Sequence, residues 1–288
     1  MADRSTRPPL YLRVRLWVQF GAAFLVNALF LYDLRGICVP VLNCWSCPVA
    51  SYACPMGAFQ HGVAAMRGAL LLPFYVLGSI LAASAILGRS MCGWLCPFGL
   101  VQDLMGKMRK HKARMPRFMG YFKYVLLIGL GIILPYLTYE PWFCKFCPQG
   151  ALEGGIFMPI VDPDLREWIA GLWYTKISIL VAFLVAAIFI RRPFCHSFCA
   201  LGALFSVCNR VSLVRMHYVR EECTDCMWCV RACPAGIDPR TDLSGNACIK
   251  CMECAKCPFD AIHVSTAVSR CSKCEVEGIP PAVEDETR

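Results

Sequence analysis

The sequence predicts a mainly α chain: a four-helix transmembrane bundle with an internal twofold repeat, followed by a small C-terminal α+β domain built around cysteine ligands. Three observations carry this reading. Of 288 residues, 57% are hydrophobic and only 17% are charged, against about 25% charged in ordinary soluble domains; the mean hydropathy is +0.51. Four apolar stretches approach the ~20 helical residues that cross about 30 Å of hydrocarbon. Finally, 21 cysteines recur in spaced pairs and runs. Secreted disulfide scaffolds are as cysteine-dense, but they are small and lack long apolar runs, so metal ligation is the stronger reading.

The apolar stretches are residues 16–32, 69–87, 121–139 and 169–190. The first contains Gln19 and Asn27 and the last contains Lys176; such groups face a bundle interior or snorkel to the interface. A basic leader precedes the first stretch, but no small-x-small cleavage site follows it, so it reads as a span and not as a signal peptide. Charge orients the spans. Arg4, Arg7, Arg13 and Arg15 precede the first span. The second loop carries Arg89, Lys107, Arg109, Lys110, Lys112, Arg114, Arg117 and Lys123 against Asp103 alone. The third loop is acidic, and Arg191 and Arg192 follow the fourth span. Basic loops stay inside, which places both termini in the cytoplasm and segments 33–68 and 140–168 outside. The net charge of +9 is thus a topology signal and gives no reason to expect nucleic acid.

On this frame the cysteines fall into order. "CWSCP" (Cys44, Cys47) follows span one and "CKFCP" (Cys144, Cys147) follows span three, both outside. "CGWLCPFG" (Cys92, Cys96) follows span two and "CHSFCALG" (Cys195, Cys199) follows span four, both inside. "CPMGAFQHG" from Cys54 resembles "CPQGALEGG" from Cys147. The membrane part, 1–212, therefore reads as two copies of one unit, about 1–110 and 111–212. Each pair supplies two ligands where a cluster or tetrahedral metal wants four. A rough twofold would gather Cys92, Cys96, Cys195 and Cys199 at the inner face, and Cys44, Cys47, Cys144 and Cys147 at the outer face with Cys54 in reserve. Disulfides or redox-active thiols are the alternatives for the outer pairs.

The segment 213–265 is more specific. "CTDCMWCVRACP" places Cys223, Cys226, Cys229 and Cys233 in C-x2-C-x2-C-x3-C-P order. This is the bacterial ferredoxin run, whose fourth cysteine ligates the other cluster. "CIKCMECAKCP" adds Cys248, Cys251, Cys254 and Cys257, with one residue fewer before the last cysteine. The expected sharing is Cys223, Cys226, Cys229 and Cys257 on one 4Fe-4S cluster, and Cys248, Cys251, Cys254 and Cys233 on the other. A zinc ribbon is the alternative. Cys271 and Cys274, in the tail 266–288, are reserve ligands. Cys38 and Cys208 read as small hydrophobes. No phosphate loop, haem-attachment motif or paired intramembrane histidines are present, and His196 reads as a neighbour of the ligands.

These residues resemble the NapH/MauN family of ferredoxin-type membrane proteins, with likeness to the C-terminal part of NosR and to the FixG/CcoG group. The resemblance covers nearly the whole chain, although Ala200 stands where the C-x3-C-P pattern has proline. It implies a multi-pass protein of the bacterial inner membrane that carries electrons between quinone and a partner redox subunit. It also implies one or two 4Fe-4S clusters in the membrane part beyond the ferredoxin pair. A quinone site is expected beside a cluster, with Gln60, His61, Glu140 and Trp142 as its candidate residues. Metal-centre assembly and membrane thiol–disulfide exchange are the alternative functions.

Overall fold

Helix dominates the computed structural model, which describes residues 10–28, 34–44, 47–48, 50–65, 71–109, 112–161, 170–243 and 245–266. Four long helices organise the first part: Leu10–Val26, Leu71–Leu87, the span Phe118–Thr138, and Ala170–Phe189. Phe118–Thr138 and Gly171–Phe189 are long and apolar enough to cross a membrane. The first two helices reach only 17 residues each. The expectation of a mainly helical chain is thus met, with two helices of membrane-spanning length among the described residues. The exposed surface of these helices is apolar: Trp17 is 76% exposed, Tyr75 71% and Val125 62%. Water-facing monomers rarely present so continuous an apolar surface.

The third long helix is not uniform. It passes through a π-helical segment at Gly129–Ile133 before Leu134–Thr138. Such bulges free a carbonyl from the regular ladder, and here the Gln60 Nε2 donates to the Leu130 carbonyl at 2.6 Å. A Cβ on Gly131 would come within 2.9 Å of the Met56 side chain, so the small residue lets this helix close on Pro55–Ala64.

Short helices follow each long one. Pro55–Ala64 follows a two-stranded parallel pair, β1 (Leu34–Cys38) and β2 (Tyr52–Ala53). Ser90–Trp94 and Pro97–Lys107 follow the second long helix, Trp142–Phe146 and Pro148–Gly150 the third, and Pro193–Ser197 and Ala200–Val207 the fourth. The chain after β1 turns inward, burying Val41 and Leu42. In the C-terminal part β3 (Arg215–Tyr218) pairs antiparallel with β4 (Ile262–Ser265), over Met216, Cys229, Val230, Cys254 and Ile262.

Buried polar contacts join the two parts. Lys250 Nζ donates to the carbonyls of Asn209 and Val214 at 2.6 and 2.7 Å and to the Ser212 hydroxyl. Lys123 Nζ donates to the Asn246 carbonyl at 2.7 Å. Asp103 is the electrostatic hub: it accepts from Arg15 at 2.6 Å and from Arg192 Nε at 2.7 Å, while Arg15 also reaches Glu253 at 3.0 Å. One carboxylate therefore ties the first helix, the Pro97–Lys107 helix, the end of the fourth helix and the C-terminal part.

Burial alone would raise the Asp103 carboxyl, but Arg192 and Arg15 outweigh it and hold it below the ordinary carboxylate range. Its contribution to stability is therefore complete above the unfolded value of about 3.9 and is lost as pH falls through the lower folded value. Asp103→Ala strands the buried Arg192 guanidinium and leaves Arg15 only the Glu253 carboxylate among the described residues; it is expected to cost about 3–5 kcal/mol, read as a lower unfolding midpoint. It should also flatten the loss of stability below about pH 4.

Candidate metal centres

Four short helices begin on a cysteine. Cys54, Cys96, Cys147 and Cys199 each hold extended backbone at the residue before the first turn. Pro55, Pro97 and Pro148 follow three of them and Ala200 the fourth. Proline suits that position, because its fixed φ is helical and its missing N–H would find no partner there. Three residues past each cysteine stands a glycine: Gly57, Gly99, Gly150 and Gly202. The Gly202 N–H donates to Cys199 Sγ at 3.2 Å; Cys54, Cys96 and Cys147 make no such side-chain cap bond. Each sulfur thus sits at the positive end of a helix. The glycines also mark where the facing sulfurs stand: the Cβ position of Gly57 lies 3.7 Å from Cys144 Sγ and that of Gly150 3.7 Å from Cys44 Sγ, an ordinary contact distance.

Two of these caps meet at the inner site. Cys92, Cys96, Cys195 and Cys199 line one small cavity with Arg89, Leu201 and Phe205, and all four are buried. Gln102 Nε2 donates to Cys195 Sγ at 3.0 Å. Arg89 donates to the Cys195 carbonyl at 2.8 Å and Arg192 to the Cys92 carbonyl at 2.9 Å. Burial pushes the Cys96 and Cys199 thiols well up, and neighbouring sulfurs push the same way. A thiolate here needs a cation to share its charge.

The other two caps meet at the outer site. Cys44, Cys54, Cys144 and Cys147 line a cavity of about 170 Å³ with His61, Lys145 and Lys176. Cys54, the expected reserve ligand, is in this set, and Cys47 is not among the lining residues. Burial raises Cys54 to about 11 and Cys147 to about 12. The Cys44 N–H donates to Glu153 at 2.6 Å, and Asn27 donates to the same carboxyl at 3.2 Å. Burial lifts that carboxyl to about 7 despite these bonds.

The sites adjoin. Leu42 lines both the inner and the outer cavity. Segment 40–42 turns inward to wall the cavity of Cys92, Cys96, Cys195 and Cys199, and this brings the two cavities together. On the other side of the inner site, a Cβ on Gly93 would fall 2.7 Å from the Ile249 carbonyl and 3.2 Å from Cys251 Cα. Only glycine admits that approach. The Gly93 carbonyl accepts from Gln19 at 2.9 Å and from Arg15 at 3.1 Å.

The C-terminal runs share one backbone. Asp225 and Lys250 precede the second cysteine of each run with left-handed φ of 52° and 44°, and Met227 and Met252 follow it at 59° and 61°. Cys233, Cys248, Cys251 and Cys254 line one cavity and are all buried. Cys229 lies near Cys257, and in this other set Cys226 is exposed while Cys223 and Cys257 are half-buried. The shorter spacing before Cys257 leaves its turn intact: Asp260 N–H bonds to the Cys257 carbonyl at 3.3 Å, as Gly236 N–H does to Cys233 at 3.3 Å. Among the described residues, no group of three or more His, Cys, Asp and Glu side chains is arranged around a metal-ion position; the cysteines surround cavities. Cys271 and Cys274 lie outside the described residues.

The four residues expected at a quinone site do not converge. His61 lines the outer cavity. Gln60 is fully buried and accepts from the Cys144 N–H and thiol at 3.3 and 3.2 Å. Glu140 pairs with Lys145, and Trp142 donates to Thr138 at 2.6 Å. Sequence reasoning missed Gln102, Arg89, Leu42 and Gly93. It also paired Cys44 with Cys47, although the Cys-Pro-x-Gly pattern distinguishes Cys54, Cys96 and Cys147 from Cys47.

A family model described as "4Fe-4S binding domain" matches residues 51–73, 69–116, 123–171 and 172–217, more than half of the chain, and the chain belongs to that family. Its relatives include an uncharacterized protein of Methanocaldococcus jannaschii, 32% identical over 66% of this chain and 78% of that protein. The regulatory protein NosR of Pseudomonas aeruginosa is 31% identical over 64% of this chain but only 27% of its own length. The methylamine utilization ferredoxin-type protein MauN of Methylorubrum extorquens is 30% identical over 67% of this chain and 62% of its own. Ferredoxin-type NapH also matches, so the resemblance to the NapH/MauN type holds, and the chain is an iron–sulfur electron-transfer protein of that kind. No solved structure matches it.

Gly93→Val would drive the inner segment off the C-terminal part. The expected result is a loss of about 1–3 kcal/mol from overpacking and faster proteolytic release of 213–265, while Gly171→Ala, which meets nothing within 4 Å, changes neither.

Proposed function

We propose that the chain is a membrane-bound subunit relaying electrons between the quinone pool and a partner redox protein. In this reading the four long apolar helices cross the bilayer, the basic segments lie on the cytoplasmic side, and the two cysteine-bearing halves form a twofold repeat. The observation that carries it is the contiguity of four cysteine sets, joined through Leu42, through the Gly93–Cys251 contact and through the small core that holds both Cys229 and Cys254.

The residues fit four-cysteine ligation. Each set offers four sulfurs, and the buried sets surround cavities. Cys223, Cys226, Cys229 and Cys257 would hold one 4Fe-4S cluster, and Cys233, Cys248, Cys251 and Cys254 a second. Cys92, Cys96, Cys195 and Cys199 would hold a third, and Cys44, Cys54, Cys144 and Cys147 a fourth. Bound there, a 4Fe-4S cluster supplies reversible one-electron transfer at a potential set by charge, hydrogen bonds and exposure.

The protein's own side chains do the rest. Gly202 and Gln102 direct N–H groups at the sulfurs of Cys199 and Cys195, which favours the more negative state of whatever those sulfurs hold. Phe205 and Leu201 keep water from the inner cavity. The exposed Cys226 edge is the natural place for a partner to dock. His61, at the mouth of the outer cavity, is placed to exchange a proton with a quinone oxygen; Gln60 is committed to holding Cys144. Direction is set by the relative potentials of partner and quinone.

Iron and acid-labile sulfide analysis tests the ligand sets. Four cubanes correspond to about sixteen iron atoms per chain. Cys54→Ala is expected to lose about four of them and Cys47→Ala none. About eight irons in the unmodified protein, or selective loss on changing Cys47, would contradict the reading. Reduced protein in a bilayer should pass electrons to a quinone analogue within turnover time; no exchange would favour a maturation role.

A further inference from the structure

A cleft of about 450 Å³ opens where the first helix, the Pro97–Lys107 helix, the end of the fourth helix and the C-terminal part meet. Eight cationic side chains line it against two carboxylates. Both carboxylates are already engaged: Asp103 by Arg15 and Arg192, Glu253 by Arg15 and Lys256. The remaining five cations are Lys107, Arg109, Lys112, Arg191 and Arg231, and none forms an ion pair among the described residues. Arg109 rests on the Phe189 ring at 5.0 Å. Arg191 and Arg231 donate only to backbone carbonyls, Arg191 to those of Cys233 and Val230, Arg231 to that of Cys226. The Arg191 Nε is buried with no hydrogen-bond partner. Burial and the nearby Arg191 and Arg192 push Lys112 below its usual range, outweighing the opposing pull of Asp103.

Five cations gathered around one cleft repel one another, and a bound anion would offset that repulsion. We propose that this cleft binds a phosphate group, carried by an anionic phospholipid headgroup or by a free phosphate compound. Guanidinium forks match phosphate oxygens bidentately, and lysine adds point charge. Arg109 and Phe189 together present a charged head above an apolar ring at the end of a membrane-length helix, the arrangement a headgroup and its acyl chains would meet. The lipid source rests on the membrane reading; the phosphate chemistry does not. Because Arg191 holds the Cys233 and Val230 carbonyls, the bound anion would also brace the C-terminal part against the bundle. Neither a cofactor nor the identity of the redox partner enters the argument.

The test uses the full chain in nonionic detergent, with equilibrium binding measured for two probes. One is short-chain phosphatidylglycerol, with phosphatidylcholine of the same chain length as its neutral control; the other is inorganic phosphate. Saturable binding of phosphatidylglycerol in preference to phosphatidylcholine supports the proposal with the headgroup as source. Saturable binding of phosphate alone supports it with a free compound as source. Lys107→Gln with Lys112→Gln should weaken the bound probe at least tenfold, while Lys107→Arg with Lys112→Arg retains it, which separates lost charge from lost folding. Arg210→Gln with Arg220→Gln, exposed changes outside the cleft, should leave it unchanged. No saturable binding of either probe, or equal weakening by both glutamine pairs, would overturn the proposal. The ligand sets stand or fall separately on iron content.

Discussion

Everything in this molecule answers to the problem of keeping sulfur ligands inside an apolar helical bundle. A buried thiolate is costly unless cations and hydrogen bonds meet its charge. The chain meets part of that cost with backbone. By starting a short helix on each of Cys54, Cys96, Cys147 and Cys199, it brings unpaired N–H groups and the positive end of the helix to the sulfur. At Cys199 the glycine three residues on donates a bond to the sulfur as well. The cysteine cap recurs at all four helices, so a single local rule serves both cavities.

Given that constraint, the rest of the architecture is about closeness. A site buried for its own stability is useful to a redox protein only if the next site is near. Segment 40–42 dips from the strand β1 into the bundle, and Leu42 becomes a shared wall. Gly93 lets Cys251 and Ile249 press against the chain beside Cys92. Arg192 carries a double duty: it bonds the Cys92 carbonyl and anchors Asp103, the carboxylate that clamps the two parts of the protein. Packing, electrostatics and the proposed relay therefore depend on the same few residues.

Much of this was legible in the sequence. The runs from Cys223 and Cys248 specify their own geometry, because ligand spacing there is local, and the fold carries both through matching left-handed residues. The pairing of Cys92/Cys96 with Cys195/Cys199 followed from duplication. The expected outer set rests on the rhyme of Cys44-x2-Cys47 with Cys144-x2-Cys147, while Cys54, which lines the cavity where Cys47 does not, lies ten residues from Cys44 across β2. Its signature was present as Cys-Pro-x-Gly, a pattern that Cys47 lacks. The inward turn at Leu42 and the contact at Gly93 had no such signal: both are long-range packing events, and periodicity says nothing of them. Gln60 looked like a ligand-binding group because it is polar among apolar neighbours; the π-helical segment at Gly129–Ile133 explains its presence.

The central claim is that the inner cysteines and the C-terminal ligands are in contact, so that what they hold is coupled. Electron paramagnetic resonance of the fully reduced protein tests it most directly. The account predicts spin–spin splitting between the site of Cys92, Cys96, Cys195 and Cys199 and that of Cys233, Cys248, Cys251 and Cys254. The splitting should collapse to simple signals in Cys96→Ala with the C-terminal iron retained. A fully reduced spectrum that is the plain sum of non-interacting centres would contradict it.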